Sequence, residues 1–350
     1  MIDPSDPPPP CWLPTSMPNR RQASRRLAAI ALALAAVMPA VAPAVAADGK
    51  VFRIGVVKIV AHAALDADEK GFEDGLASAG FKEGRNVVFD RQNAGGDMTQ
   101  AEAIARKFGA GGYDLIHAIA TPTTQAVVKA VRGVPVVFSA VTDPVAAGIV
   151  PADSAPGRKT GTNVTGVSDK WPVRLQLETY ARVVPKAKTW GTIYNPAEAN
   201  SVSHVGELRQ AAAALGLEWV EVHATNAEEV AAAAKSLVGR VQAVVITSDN
   251  TSVAHFEVIA RICNDNKIAL FAGDVDSVPR GAIAAYGMDY YLIGYSAGKK
   301  AALVLKGVKP GDIAWGPMEK FSLVVNRKAA ALQGVELGAD LLKKADKVID

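Results

Sequence analysis

Residues Asp114–Val131 read DLIHAIATPTTQAVVKAV, and their order decides the fold. Asp114–Ala120 is a short, nearly continuous apolar run, the pattern of a strand buried on both faces of a parallel sheet. Thr121 then suits a helix N-cap and Pro122 the first helical position, so a helix follows over Thr123–Val131. A buried strand, a capped turn and an amphipathic helix make half of a βαβ unit. The same segment also points to chemistry, because free N–H groups at such a helix start can bind an anion.

Working outward, the unit recurs along the chain. Strand-like runs lie at Val51–Val57, Asn86–Asp90 and Pro135–Ala140. A second series follows at Asn163–Val167, Thr189–Tyr194, Glu218–His223, Ala243–Thr247 and Ile268–Phe271. Between them fall helical patterns at Leu65–Ala79, Thr99–Phe108, Val173–Val184, Ser203–Leu215, Ala227–Leu237 and Val253–Asn266. Tyr290–Leu305 reads as a helix, Phe321–Val325 as a strand and Lys328–Lys347 as a polar helix. Two series imply an α/β protein of two doubly wound parallel-sheet lobes. The Pro- and Gly-rich stretch Asp143–Gly161 reads as the seam. Lobe 1 is expected over residues 50–142 plus 277–316, and lobe 2 over 143–276 plus 317–350. A chain that revisits each lobe makes a multi-strand hinge, which suits closure around a solute.

The chain has 350 residues, 49% hydrophobic and 21% charged, enough for two cores and too polar for many membrane spans. Part of the +3 net charge sits in Arg20, Arg21, Arg25 and Arg26, so the rest is near neutral and shows no nucleic-acid footprint. After Arg25-Arg26, the uncharged run Leu27–Ala47 closes on Ala44-Val45-Ala46. Those are the marks of a secretory signal peptide, 1–46, cleaved near Ala46, with Met17 a tidier start than Met1. The expected location is the periplasm. Cys11 would leave with the signal, and Cys263 reads as a small buried apolar group.

In open parallel sheets ligands bind beyond the carboxyl ends of the strands. There the sequence places Thr121 and Thr124, Thr142-Asp143, Ser168-Asp169, Tyr194-Asn195, Ser248-Asp249-Asn250-Thr251 and Gly273-Asp274. His62 closes the first strand. Each could be a plain cap or turn. Together they offer carboxylates for an ammonium and hydroxyls and helix N–H groups for a carboxylate, so an amino acid zwitterion suits them. Five scattered histidines form no metal pair, and nucleophile elbow, P-loop and dinucleotide fingerprint are missing. The reading is a binding protein, not an enzyme, with no cofactor and no metal. Its candidate contacts are His62, Thr121, Thr124, Thr142, Ser168, Asp169, Tyr194, Asn250 and Asp274.

At these strand ends the sequence resembles the ABC-transporter substrate-binding proteins of the tryptophan/tyrosine type. The likeness is carried by Gly71-Phe72-Glu73-Asp74-Gly75-Leu76, Ala120–Gln125, Phe138–Val145, Asn163–Asp169 and Phe271–Val278. It runs from about Val51 to about Pro310. It implies the type I periplasmic-binding-protein fold and a soluble receptor that closes on a small solute and docks on an ABC permease; the receptor is expected to be a monomer. Carried over, Asp274 and Asn250 would face an amino group and Thr121, Thr124 and Ser168 a carboxylate. Tyr194 or Trp171 would lie near the side chain. The sequence departs from the pattern at Lys58-Ile59-Val60-Ala61-His62, where an acidic residue commonly precedes the histidine. Two other readings stay open: a nucleoside or sugar receptor, which would want more aromatic stacking than 6% aromatics offer, and a sensory module feeding a membrane receptor.

Overall fold

A computed structural model describes residues 49–350; the expected signal peptide lies outside the described residues. The first half runs β1 (Phe52–Lys58), α1 (Ala63–Ser78), β2 (Val87–Asn93), α2 (Met98–Gly109), β3 (Leu115–Ile119), α3 (Thr121–Ala130), β4 (Val136–Val141) and β5 (Val164–Ser168). Then come α4 (Val173–Val183), β6 (Thr189–Tyr194), α5 (Ala199–Ala214), β7 (Glu218–His223), α6 (Ala227–Ser236), β8 (Ala243–Ile246), α7 (Asn250–Ala254) and α8 (Phe256–Asn266). The chain closes with β9 (Ala269–Ala272), β10 (Ala284–Gly287), α9 (Tyr290–Leu305), β11 (Gly316–Pro317), β12 (Ser322–Asn326), α10 (Arg327–Leu332), α11 (Ala339–Lys344) and β13 (Lys347–Ile349).

Two sheets result. The first has the order β11-β5-β4-β3-β1-β2 and the second β13-β12-β10-β9-β8-β6-β7. All pairs are parallel except β10 with β12, which is antiparallel. The central strands are wholly buried, β3 and β4 in the first sheet and β8 and β9 in the second, as their nearly continuous apolar runs require.

The lobe boundaries fall later than the sequence suggests. Residues 143–161 do form turns, but the chain returns to the same sheet, where β5 pairs with β4 from Val136↔Val164 onward. Likewise β10 pairs with β9, so it belongs to the second sheet. The crossings therefore lie at 169–172, 288–289 and 318–321 rather than at 142/143 and 276/277. A turn-rich stretch marks a loop; it does not say which sheet comes next. The expected helix Lys328–Lys347 is also replaced, by α10, α11 and β13. Gly334, at φ +73°, breaks it.

One packing feature sets the site. Helices α1 and α9 meet backbone to backbone through Gly71 and Gly75 on one side and Gly294 and Gly298 on the other. A Cβ on Gly294 would lie 1.8 Å from the Asp68 carbonyl oxygen, and one on Gly71 2.0 Å from that of Tyr291. No side chain fits there. The two helices are thereby locked against the first sheet, and their N-termini are held at the carboxyl ends of its strands.

Candidate functional site

Those N-termini open onto a narrow, partly open cleft between the ends of the two sheets. From the first lobe and the crossings it is lined by His62 and Leu65 at the start of α1, Ala120 beyond β3, Ala140 and Thr142 at β4, Asp169 after β5, and Tyr290 opening α9. The second lobe contributes Asn200, Ser248, Asn250, Val253 and Asp274. Five of the nine sequence candidates thus share one cavity: His62, Thr142, Asp169, Asn250 and Asp274.

The backbone at the cleft floor is strained. Ala120 sits at φ +78°, ψ 157°, a region almost reserved for glycine, and Ala140 at φ +52°. Each such residue costs on the order of 1–3 kcal/mol. Between Phe138 and Val141 the β4–β5 register shifts, so Ala140 stands at a bulge that re-aims the strand end toward the cavity.

Asp169 is the best-connected acid. Its Oδ1 accepts from Thr142 Oγ1 at 3.1 Å and its Oδ2 from the Tyr290 hydroxyl at 2.5 Å. Burial pushes its carboxyl up to about 6, although both hydroxyls favour the charged form. Asp274 is buried too; it caps the turn Val275–Ser277 and accepts from Ser277 N and Oγ, both at 2.8 Å. Burial raises it as well. Cap and cavity wall are here one residue, since a carboxylate has lone pairs for both. His62 is similar: its Nδ1 caps α1 from 3.4 Å, and burial drives its pKa down to about 4, so the ring is neutral.

In the second lobe, Glu198 underpins the wall. It accepts from Asn250 N and Nδ2, Asn200 Nδ2, and Thr251 N and Oγ1. Burial and then the nearby Asp249 push its carboxyl up. Asn200 spends its amide on Glu198 and on the Ser248 carbonyl at 2.8 Å, which leaves Oδ1 buried without a protein partner. Between the lobes, Thr142 Oγ1 lies 3.3 Å from Ser248 Oγ, so the two halves touch across the cleft.

The other candidates are placed elsewhere. Thr121 Oγ1 accepts from Thr142 N at 3.4 Å and supports the floor from behind. Thr124 Oγ1 donates to the Ala120 carbonyl at 2.7 Å, within its own helix. Ser168 is buried at the end of β5, beside β11. Tyr194 turns to the sheet edge, where its hydroxyl meets Glu221 at 3.3 Å and His223 at 3.2 Å. Trp171, offered for the solute's side chain, stacks instead on His204, centroids 4.6 Å apart. Asn200, Ser248 and Tyr290 were not among the nine. Ser248 stands two places before Asn250 in the same strand-end segment, whereas Asn200 and Tyr290 lie in the first turns of helices. Lys58, the charge that sets the first strand end apart, is held by Asp66 at 2.5 Å and Glu69 at 2.7 Å and does not line the cleft. Among the described residues no cluster of His, Cys, Asp and Glu could hold a metal ion.

The chain as a whole is similar to known proteins. Residues 53–349 match the family model described as ABC transporter substrate binding protein. The tyrosine-binding protein of Clostridioides difficile (strain R20291) is 38% identical over 291 residues, covering 83% of each chain. A Streptococcus ABC domain solved in complex with L-Trp superposes with a TM-score of 0.80 at 32% identity, over 85% of this chain and 99% of that one. The ligand-free, open structure of a Clostridium difficile substrate-binding protein with adhesive properties is 36% identical over 85% of this chain and 99% of that one, yet scores only 0.63. The greater likeness to the liganded relative agrees with the contact of Thr142 and Ser248 across the cleft. The architecture is the type I periplasmic-binding-protein fold.

Proposed function

This chain belongs to the ABC transporter substrate-binding proteins, a family of receptors rather than enzymes, and on that premise we propose that it captures a zwitterionic amino acid with an aromatic side chain. The observation that carries the reading is the convergence of Asp169, Asp274 and the unpartnered Asn200 Oδ1 on one narrow cleft that also receives the starts of α1 and α3. The acids and the amide oxygen take the ammonium. The helix starts, with their free N–H groups, take the carboxylate. A neutral His62 whose Nδ1 already accepts keeps its proton on Nε2, a donor that Asn250 of the other lobe approaches. The aromatic preference rests on the tyrosine- and tryptophan-binding relatives. Capture proceeds by closure. One lobe binds first, the three crossings bend, and the second lobe completes the contacts. An ABC permease then reads the closed form. We place the receptor in the periplasm, supported by the signal-like run before residue 47. Among the described residues no helix is long and apolar enough to cross a membrane.

Calorimetry on protein stripped of ligand by unfolding and refolding tests this, across amino acids, nucleosides and sugars. L-Tyrosine or L-tryptophan should bind one to one, and Asp274→Ala should weaken the binding at least about tenfold, the loss of a charge-assisted contact. Binding confined to sugars or nucleosides would overturn the reading; unchanged affinity in the variant would remove Asp274 from the contacts.

A further inference from the structure

Beneath the cleft runs a chain of hydrogen bonds with a direction. Thr142 has one hydroxyl proton, and it goes to Asp169 Oδ1 at 3.1 Å. A bond to a carboxylate is the stronger use of that proton. The 3.3 Å contact between Thr142 Oγ1 and Ser248 Oγ must then be filled by the proton of Ser248. Ser248 in turn meets His204 Nδ1 at 2.9 Å, and with its own proton spent it can only accept there. The His204 proton therefore sits on Nδ1. His204 is fully buried and stacked on Trp171, and Nε2 has no protein partner. A bare lone pair there costs less than a stranded N–H. Burial and the charge of Lys170 drive its pKa down to about 3, so the ring carries one proton only.

We infer that His204, which does not line the cleft, is a positioning residue that makes one wall of the site an acceptor surface and so assigns that wall to the solute's ammonium. With the order His204 → Ser248 → Thr142 → Asp169 set, neither hydroxyl has a proton left for the solute, and each keeps a lone pair. Tyr290 spends its proton on Asp169, and Asn200 spends both amide protons on Glu198 and the Ser248 carbonyl. The opposite tautomer would put two lone pairs face to face between Thr142 and Ser248, or turn a hydroxyl outward as a donor. The wall would then tolerate a carboxylate.

This rests on the amino acid reading above, and the test separates the two. Affinities of stripped protein are measured for L-tryptophan, for indole-3-propionate, which lacks the ammonium, and for tryptamine, which lacks the carboxylate. The wild type should prefer L-tryptophan to both. In His204→Leu and Ser248→Ala the preference over indole-3-propionate should fall about tenfold, the loss of one charge-assisted hydrogen bond. The preference over tryptamine should hold. His204→Asn, whose amide N–H can stand where Nδ1–H stood, should restore the first ratio. A wild type indifferent to the ammonium would sink the amino acid reading itself. A discriminating wild type whose Ser248→Ala and His204→Leu variants keep the first ratio, or lose both ratios alike, would overturn the inference alone.

Discussion

The two lobes contain the same small device, used differently. In the first, Ser139 of β4 meets His117 Nε2 at 2.7 Å, and Phe72 stacks on that ring at 3.7 Å. In the second, Ser248 meets His204 at 2.9 Å, and Trp171 stacks on it. Both imidazoles are driven down to about 3 by burial. The difference is where each serine sends its proton. Ser139 lies within its strand and donates at 2.6 Å to Asp68, a carboxyl sealed in the same lobe and pushed well above its ordinary range by burial. Ser248 lies two residues beyond β8, faces the cleft and reaches the other lobe. Setting the serine beyond a strand end rather than within the strand turns internal bracing into part of a binding wall.

The comparison breaks most visibly at the α1–α9 contact, which has no counterpart in the second lobe among the described residues. Gly294→Ala should destabilise the protein by about 3 kcal/mol, because backbone carbonyls cannot move aside as side chains can. Denaturant unfolding measures it, and a loss under about 1 kcal/mol would show the contact to be slack. Next, Ser139→Ala should cost about 2 kcal/mol by stranding Asp68 and His117, yet leave amino acid affinity within about twofold. A large affinity loss at unchanged stability would erase the distinction between the lobes.

A third prediction concerns pH. Asp169, raised to about 6 from an unfolded value near 3.9, favours the fold most when protonated. Its contribution to ligand-free stability is complete below about pH 4 and is lost as pH rises through 6. Ammonium binding runs the other way, since it needs the carboxylate. Affinity should fall about tenfold from pH 7.5 to pH 5, and Asp169→Asn should flatten the profile. Calorimetry at both pH values decides it; a level wild-type profile would take Asp169 out of the ammonium site. The smallest effect is at the strained floor, which has no counterpart at the strand ends of the second lobe among the described residues. Ala120→Gly should stabilise by about 1 kcal/mol, strain relief less the added entropy of the unfolded chain. A lower melting temperature would mean that the alanine methyl packs for more than its backbone costs.

Much of this was legible beforehand for physical reasons. Buried parallel strands are continuous apolar runs, so β1, β3, β4, β6, β8 and β9 stand out, and their ends carry His62, Thr142, Asp169, Asn250 and Asp274. What could not be read depends on partners distant in sequence. Thr121 and Thr124 carry the right chemistry but spend it inside the protein. Tyr194 turns to the sheet edge because β7 flanks β6 there. Asn200 and Tyr290 reach the cleft only through the way their helices dock, and the glycines at 71, 75, 294 and 298 reveal their purpose only as facing pairs.

The most direct measurement is a crystal structure of the stripped and refolded protein grown with L-tryptophan. We expect one molecule in the cleft, its ammonium within hydrogen-bond distance of Asp169 and Asn200 Oδ1 and its carboxylate toward the starts of α1 and α3. A ligand bound with its carboxylate on that acceptor wall, or a cleft that stays empty at saturating tryptophan, would contradict it.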